Sequence, residues 1–267
     1  MTKRKLFNVL KLFILIYCSI GIAVYYLQEK ILFQSQKMGR YEPFSFNYPH
    51  TETNITYDSV TNFNLVKFTT TKPVKGVVLY FHGNRININH YARFAPFFTE
   101  KGHEIWMCDY PGYGKSTGQL SEEILYEEAM QVYQLARQTF SADSITIYGK
   151  SMGTGIAAYL AANRDCKQLI LETPYYSATS LLSKYLFMYP LGRMLHYKMP
   201  TYTYLLKVSA PITIFHGTRD WLISYNKTKQ LQPLLKKQDQ FITIDGGEHN
   251  NLWNYPIVMQ KLDSIMQ

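Results

Sequence analysis

The sequence predicts an α/β fold built on a doubly wound, mostly parallel sheet, preceded by one N-terminal transmembrane helix. Three observations carry this reading. Short apolar runs of strand character alternate with longer helical patterns from residue 54 to the C-terminus. The pentapeptide Gly149-Lys150-Ser151-Met152-Gly153 stands where one such run, Ser144-Ile145-Thr146-Ile147-Tyr148, gives way to a small-residue helix. Residues 6–27 are apolar except for Asn8, Lys11 and Ser19, and at about 1.5 Å per helical residue they match a hydrocarbon core of about 30 Å.

The elements follow in order. Residues 54–70 read as an antiparallel strand pair and 77–81 as a buried strand, with a helix over 90–101 and a strand over 104–108. A long helix spans 121–140, with Glu122, Glu123, Glu127 and Glu128 near its start. After the elbow strand and its helix, strands are expected at 168–171, 212–215 and 241–244, and helices near 226–237 and 251–266. Alternation of this kind gathers the connecting loops at the carboxyl edge of the sheet. Residues 174–208 are too long for a simple crossover and rich in Tyr, Leu and Met. Part is expected as a crossover helix and the rest as a cap over the serine; plain packing on the sheet is the alternative. The expected division is 1–40 as membrane anchor and linker, and 41–267 as one catalytic domain, a length ample for a sizeable core.

Gly-x-Ser-x-Gly between strand and helix has a steric reason. A serine lifted onto a tight turn takes a strained backbone, and side chains two residues to either side would collide with the flanking elements. Ser151 is therefore the candidate nucleophile, with the helix N-terminus lending it positive potential. A serine hydroxyl is a weak nucleophile and needs a base with a group to orient it. Asp220 lies in the loop beyond the strand Pro211-Ile212-Thr213-Ile214-Phe215-His216-Gly217, and His249 follows the turn Asp245-Gly246-Gly247-Glu248. They are the candidate acid and base, with Glu172, at the end of the preceding strand, as rival acid. The strand Val77-Val78-Leu79-Tyr80-Phe81 runs into His82-Gly83-Asn84, where a glycine lets the backbone approach a reacting carbonyl. The backbone N–H groups of Asn84 and Met152 are the expected oxyanion hole. His82 and His216 read as turn-packing histidines, Asp109 as tying its own Gly/Pro turn, and Arg85 as a solvated loop cation, with contact to an anionic head group as its alternative.

Phe81-His82-Gly83-Asn84, Asp109-Tyr110-Pro111-Gly112-Tyr113-Gly114-Lys115-Ser116-Thr117-Gly118, Gly149-Lys150-Ser151-Met152-Gly153, His216-Gly217-Thr218-Arg219-Asp220 and Gly246-Gly247-Glu248-His249 follow one another over residues 55–267. This series resembles the consecutive motifs of membrane-anchored α/β-hydrolase-domain serine hydrolases. The resemblance implies an α/β-hydrolase fold and the chain order Ser151, Asp220, His249. The chain departs from the pattern at Arg85-Ile86-Asn87, where relatives carry small residues, and at Pro111, where they often have Arg.

The formal net charge is +9, of which residues 1–40 contribute +6 and the remainder +3. The excess sits on the anchor, where it suits anionic lipid head groups and is no nucleic-acid footprint. No small-x-small cleavage site follows the apolar run, so an uncleaved anchor is favoured over a signal peptide. Lys3, Arg4, Lys5 and Lys11 against Lys30, Lys37 and Arg40 favour a cytoplasmic N-terminus with the catalytic domain on the far side. Cys18, Cys108 and Cys166 show neither disulfide nor metal spacing, and no cofactor is expected. These readings converge on a serine hydrolase of carboxylic esters or thioesters acting on a small-molecule or lipid acyl substrate. A peptidase on short peptides and a non-catalytic membrane-tethered binding protein are the alternatives.

Overall fold

The computed structural model describes residues 2–267; Met1, the first residue of the expected basic N-terminus, lies outside the described residues. Helix α1 (Lys3–Leu32) precedes the domain. Eight strands form the main sheet: β1 (His50–Thr56), β2 (Asn62–Phe68), β3 (Gly76–Phe81), β4 (His103–Asp109), β5 (Ile145–Lys150), β6 (Gln168–Glu172), β7 (Ile212–Gly217) and β8 (Gln240–Ile244). Their spatial order is β8-β7-β6-β5-β3-β4-β2-β1. β1 and β2 form the expected antiparallel pair, β2 meets β4 antiparallel, and all other neighbours run parallel.

Every residue of β3, β5 and β7 is buried, because helices cover both sheet faces and a doubly covered strand has no solvent side to alternate towards. One face packs under α2 (Glu122–Arg137) and α3 (Gly153–Asn163), the other under residues 88–99 and α7 (Pro256–Ile265). α2 starts where Ser121 accepts a hydrogen bond from the Ile124 N–H at 3.2 Å, with Glu122 and Glu123 in its first turn and Arg137 in its last. Cap and charges thus complement the helix dipole. Chain order reverses around β3: β4 lies to one side of it and β5 to the other. The carboxyl ends of β3 and β5 therefore flank the switch-point crevice where such sheets bind ligands.

Three expected helices are interrupted, each near a proline. Residues 88–99 form Ile88–Tyr91, a 3-10 turn and Ala95–Thr99, with Pro96 opening the last piece. The helix expected near 226–237 is Tyr225–Thr228 followed by a 3-10 run containing Pro233. The last helix begins at Pro256 rather than at 251, after a 3-10 turn. A proline has no N–H to continue a ladder but is preorganised for a first turn.

Residues 174–208 contain no long crossover helix. They fold as α4 (Ala178–Ser183), α5 (Leu191–Met194) and α6 (Thr201–Leu205), with Pro190 and Pro200 entering the latter two. Tyr175, Tyr197, Met199 and Leu205 pack into the main core. Tyr185, Phe187 and Met188 stay largely exposed. Packing and capping both occur, in different parts of the segment.

Helix α1 runs five residues beyond the expected span and docks on this cap. Val24 packs with Leu191 and Leu195, and the Tyr17 and Tyr189 rings stack at 4.6 Å. Buried Gln28 accepts from the His196 N–H at 2.7 Å and donates to the Met194 carbonyl at 3.3 Å. The rest of α1 exposes Leu6, Phe7, Leu10, Phe13 and Ile14. This apolar surface makes it a candidate membrane span.

Candidate active site

β5 delivers Ser151 onto a sharp elbow. Its φ is +50°, a left-handed conformation that costs a non-glycine residue about 1–3 kcal/mol and persists only where the surroundings impose it. Two bonds impose it: the Ser151 N–H donates to the Glu172 carbonyl at 2.8 Å, and the Ser151 carbonyl accepts from the Thr154 hydroxyl at 2.6 Å. The flanking glycines are required. A Cβ on Gly149 would lie 2.6 Å from the Gly153 carbonyl oxygen, and one on Gly153 would run into the Phe81 carbonyl. Gly153 thereby lets the start of α3 abut the end of β3.

The structure brings Ser151, His249 and Asp220 together from three loops. Ser151 Oγ lies 2.9 Å from His249 Nε2, and His249 Nδ1 lies 2.8 Å from Asp220 Oδ2. All three residues are buried. The other oxygen of Asp220 accepts from the Leu222 and Ile223 N–H groups at 2.9 and 2.8 Å. These bonds lock the carboxylate and orient the imidazole with Nδ1 donating and Nε2 free to accept the serine proton.

Glu172 faces elsewhere. Its carboxylate pairs with Lys150 and accepts from the Tyr148 hydroxyl at 2.7 Å and the Trp253 indole at 3.0 Å. Burial pushes this carboxyl up, but the Lys150 charge and the three hydrogen bonds together hold it below the usual carboxylate range. His216 donates from Nε2 to the Ile223 carbonyl at 3.0 Å, beneath Asp220, and burial lowers its protonation. His82 is buried between Tyr91 and Tyr110 and donates from Nδ1 to the Gly83 carbonyl at 2.7 Å.

Asp109 differs from expectation: its carboxylate accepts from the Ile88 N–H at 2.9 Å, 3.3 Å from His82 Nε2, and ties a different segment from its own turn. Gly114, at φ +45°, makes room for it, since a Cβ there would collide with Asp109 Oδ2.

Asn84 and Met152 flank the serine, and among the described residues neither backbone N–H donates to a protein acceptor. The Met152 carbonyl is held by the Tyr175 hydroxyl at 3.0 Å, and the Asn84 carbonyl by the Tyr113 hydroxyl at 2.9 Å. The Asn84 loop has a further support for which the sequence offered no periodic signal. Residues 33–38, expected as linker, run as a strap beside it. The Gln34 and Gln36 N–H groups donate to the Asn84 and Ile86 carbonyls, each at 2.9 Å, and Asn84 Nδ2 donates to the Leu32 carbonyl at 3.0 Å. Ile86, a β-branched residue at φ +61°, is held in this pairing.

A cavity of about 860 Å³ opens over Ser151 and His249. Cap residues Ala178, Leu181, Leu182 and Tyr185 form one wall, continued by Ile31 and Leu32 at the end of α1. Trp221, Leu222 and Ile223, missed in the sequence because they follow Asp220 as an unremarkable loop, add to this apolar surface. Its charged lining residues are Arg85, Arg93 and Lys150.

The sequence model of the family described as serine aminopeptidase, S33, matches residues 72–206. The chain belongs to this α/β-hydrolase family. The chain is 27% identical over 194 residues to alpha/beta hydrolase domain-containing protein 17C of Xenopus tropicalis, covering 71% of this chain and 61% of that one. It is 26% identical over 197 residues to the protein of that name from Mus musculus, covering 71% and 59%. It thus spans about three-fifths of the length of these curated relatives. An esterase from Pyrococcus furiosus aligns with a TM-score of 0.66 at 15% identity, over 88% of this chain and 97% of that one. A soluble variant of monoglyceride lipase from Saccharomyces cerevisiae aligns at 0.64 and 16% identity, over 86% and 98%. At such identities these structures establish the fold of the chain, with its mostly parallel sheet.

Proposed function

We propose that this hydrolase is a membrane-anchored serine hydrolase that cleaves carboxylic esters or thioesters of lipid-derived acyl groups. The observation that carries the proposal is the relay from Ser151 Oγ through His249 to Asp220, at 2.9 and 2.8 Å, opening into a largely apolar cavity. His249 Nε2 takes the proton of Ser151 as Oγ attacks the substrate carbonyl. The N–H groups of Asn84 and Met152 receive the oxyanion, a term worth about 2.7–4 kcal/mol per donor. As the tetrahedral adduct collapses, His249 gives the proton to the leaving alcohol or thiol. Water, deprotonated by His249, then attacks the acyl-enzyme, and the acid departs as Ser151 regains its proton.

In this reading residues 1–40 form the anchor unit, spanning the membrane over about residues 6–27, and 41–267 the catalytic domain with its cap at 174–208. The docking of α1 on the cap supports entry of the acyl chain from the bilayer side, because Ile31 and Leu32 continue the apolar wall of the cavity. A peptidase reading is favoured by the aminopeptidase name of the family, but a peptide amino terminus is a cation and needs a carboxylate. The charged groups lining this cavity are cations, which supports the ester reading instead.

Fluorophosphonate labelling of the detergent-solubilised full chain tests the proposal. Labelling is expected in wild type, absent in Ser151→Ala and His249→Ala, reduced in Asp220→Asn and retained by folded Glu172→Gln. Well-folded wild type that does not label would sink the mechanism and leave a non-catalytic binding protein.

A further inference from the structure

The cavity has two kinds of wall. The cap, the end of α1 and residues 221–223 form an apolar one; residues 85–93, with Lys150 beside the nucleophile, form a basic one. Lys150 is neutralised, since its ammonium is buried against Glu172. The two arginines are not. Among the described residues neither Arg85 nor Arg93 pairs with a carboxylate. Arg85 donates from Nε to the Gln34 side-chain oxygen at 3.0 Å, leaving both terminal nitrogens unspent. Arg93 lies over the Phe94 ring, 3.4 Å from His90 Nε2.

Both guanidiniums are exposed to solvent on one concave wall, where an anionic ligand would supply the counter-charge that no carboxylate supplies. Burial, with Arg93, Lys150 and Arg85 following in that order, pushes the His90 ring below the usual imidazole range. Guanidiniums present planar, bidentate donors that match phosphate geometry. The apolar wall accounts for an acyl chain, so the group left to face Arg85 and Arg93 is the alcohol side of the ester.

We propose that Arg85, Arg93 and His90 form a subsite for a phosphate group on the leaving alcohol, so that the preferred substrates are acyl esters of phosphate-bearing alcohols. The proposal rests on the serine-hydrolase reading above and adds to it the substrate class. A cavity of about 860 Å³ has room for such an amphiphile, being at the upper end of the usual ligand-site range.

The test compares kcat/KM for two matched pairs using the full chain in uncharged detergent: a long-chain monoacylglycerol against its 3-phosphate, and butyryl glycerol against butyryl glycerol 3-phosphate. The phosphate member is expected to be favoured about tenfold or more in wild type. The ratio is expected to collapse towards unity in Arg85→Gln/Arg93→Gln, and to fall in Arg93→Gln, which leaves the Asn84 loop untouched. Fluorophosphonate labelling of Ser151 reports that the site is still assembled in each variant. Preference in both pairs supports recognition of the phosphate itself, and preference in the long-chain pair alone supports a lipid head group. Equal rates within the pairs, or a preference that survives the double variant, overturn the subsite while leaving the hydrolase mechanism intact. Absence of both turnover and labelling overturns the mechanism as well.

Discussion

At the scale of single residues, two buried carboxyls with opposite surroundings behave oppositely. Glu172 has Lys150, Tyr148 and Trp253 around it and is held ionised. Glu128, fully buried on α2, has only the weakly donating Cys108 thiol beside its carboxyl, and burial followed by the nearby Asp109 pushes it well above the usual range. Folded Glu128 therefore keeps a proton that the unfolded chain releases above the ordinary value of 4.5. Its folded pKa is raised, so stability is greatest below that ordinary value and declines as pH rises towards neutrality. Glu128→Met is expected to raise stability by about 1–3 kcal/mol at neutral pH. Denaturant melts at pH 4.5 and pH 7 check it: the gain should widen with pH, and a gain independent of pH would contradict the assignment. Glu172→Gln works the other way, leaving Lys150 buried without its counter-charge at a cost of about 3–5 kcal/mol. For turnover the relay predicts a different ranking. Ser151→Ala should lose roughly 10⁶-fold and Asp220→Asn roughly 10⁴-fold in kcat, whereas folded Glu172→Gln should lose far less, because its carboxylate does not touch His249.

At the scale of elements, the strap over residues 33–38 and the Asn84 loop form one unit. The candidate oxyanion donor lies at the end of β3, yet its loop is hydrogen-bonded to the segment leaving α1. Gln34→Pro removes the N–H that donates to the Asn84 carbonyl, and displacements of about 1 Å at a reacting centre can cost about 10²-fold. A drop of about 10- to 100-fold in kcat with little change in KM is expected, and Gln34→Ala, which keeps that N–H, should lose much less. Equal losses in the two variants would remove the strap from the positioning of Asn84. The strap also explains a miss. Its pairing is two residues long, too short for a period-2 pattern, and its backbone bonds leave no side-chain signature. The interrupted helices were hidden for a related reason: apolar spacing continued through Pro96, Pro233 and the approach to Pro256, while the backbone could not.

At the scale of the whole molecule, α1 joins a candidate membrane span to the candidate active site. Its first half is exposed and apolar, its second half lies on the cap, and its last residues line the cavity. If residues 6–27 lie in the bilayer, the exposed Phe187 and Met188 of the cap are immersed in it too, because the Tyr17 hydroxyl, in the middle of that segment, donates to the Met188 carbonyl at 3.0 Å. The proposed orientation predicts that Thr2→Cys is labelled by an impermeant maleimide from the cytoplasmic side only, and Lys72→Cys from the opposite side only; the reverse pattern would invert the topology. The fold and the candidate site were largely legible in the residues, because an elbow serine needs glycines at fixed local spacing and an α/β sheet announces itself by period. Ser151, Asp220, His249, Asn84 and Met152 are local consequences of strand ends and turns, and could be named without coordinates. What only the tertiary structure decided is which groups meet: Asp220 rather than Glu172 at His249, the strap beside Asn84, Asp109 turned towards Ile88, and two unpaired arginines on one wall. Those pairings join residues far apart in the chain, and they are chosen by packing and by the need to satisfy buried polar groups, to which sequence spacing is blind.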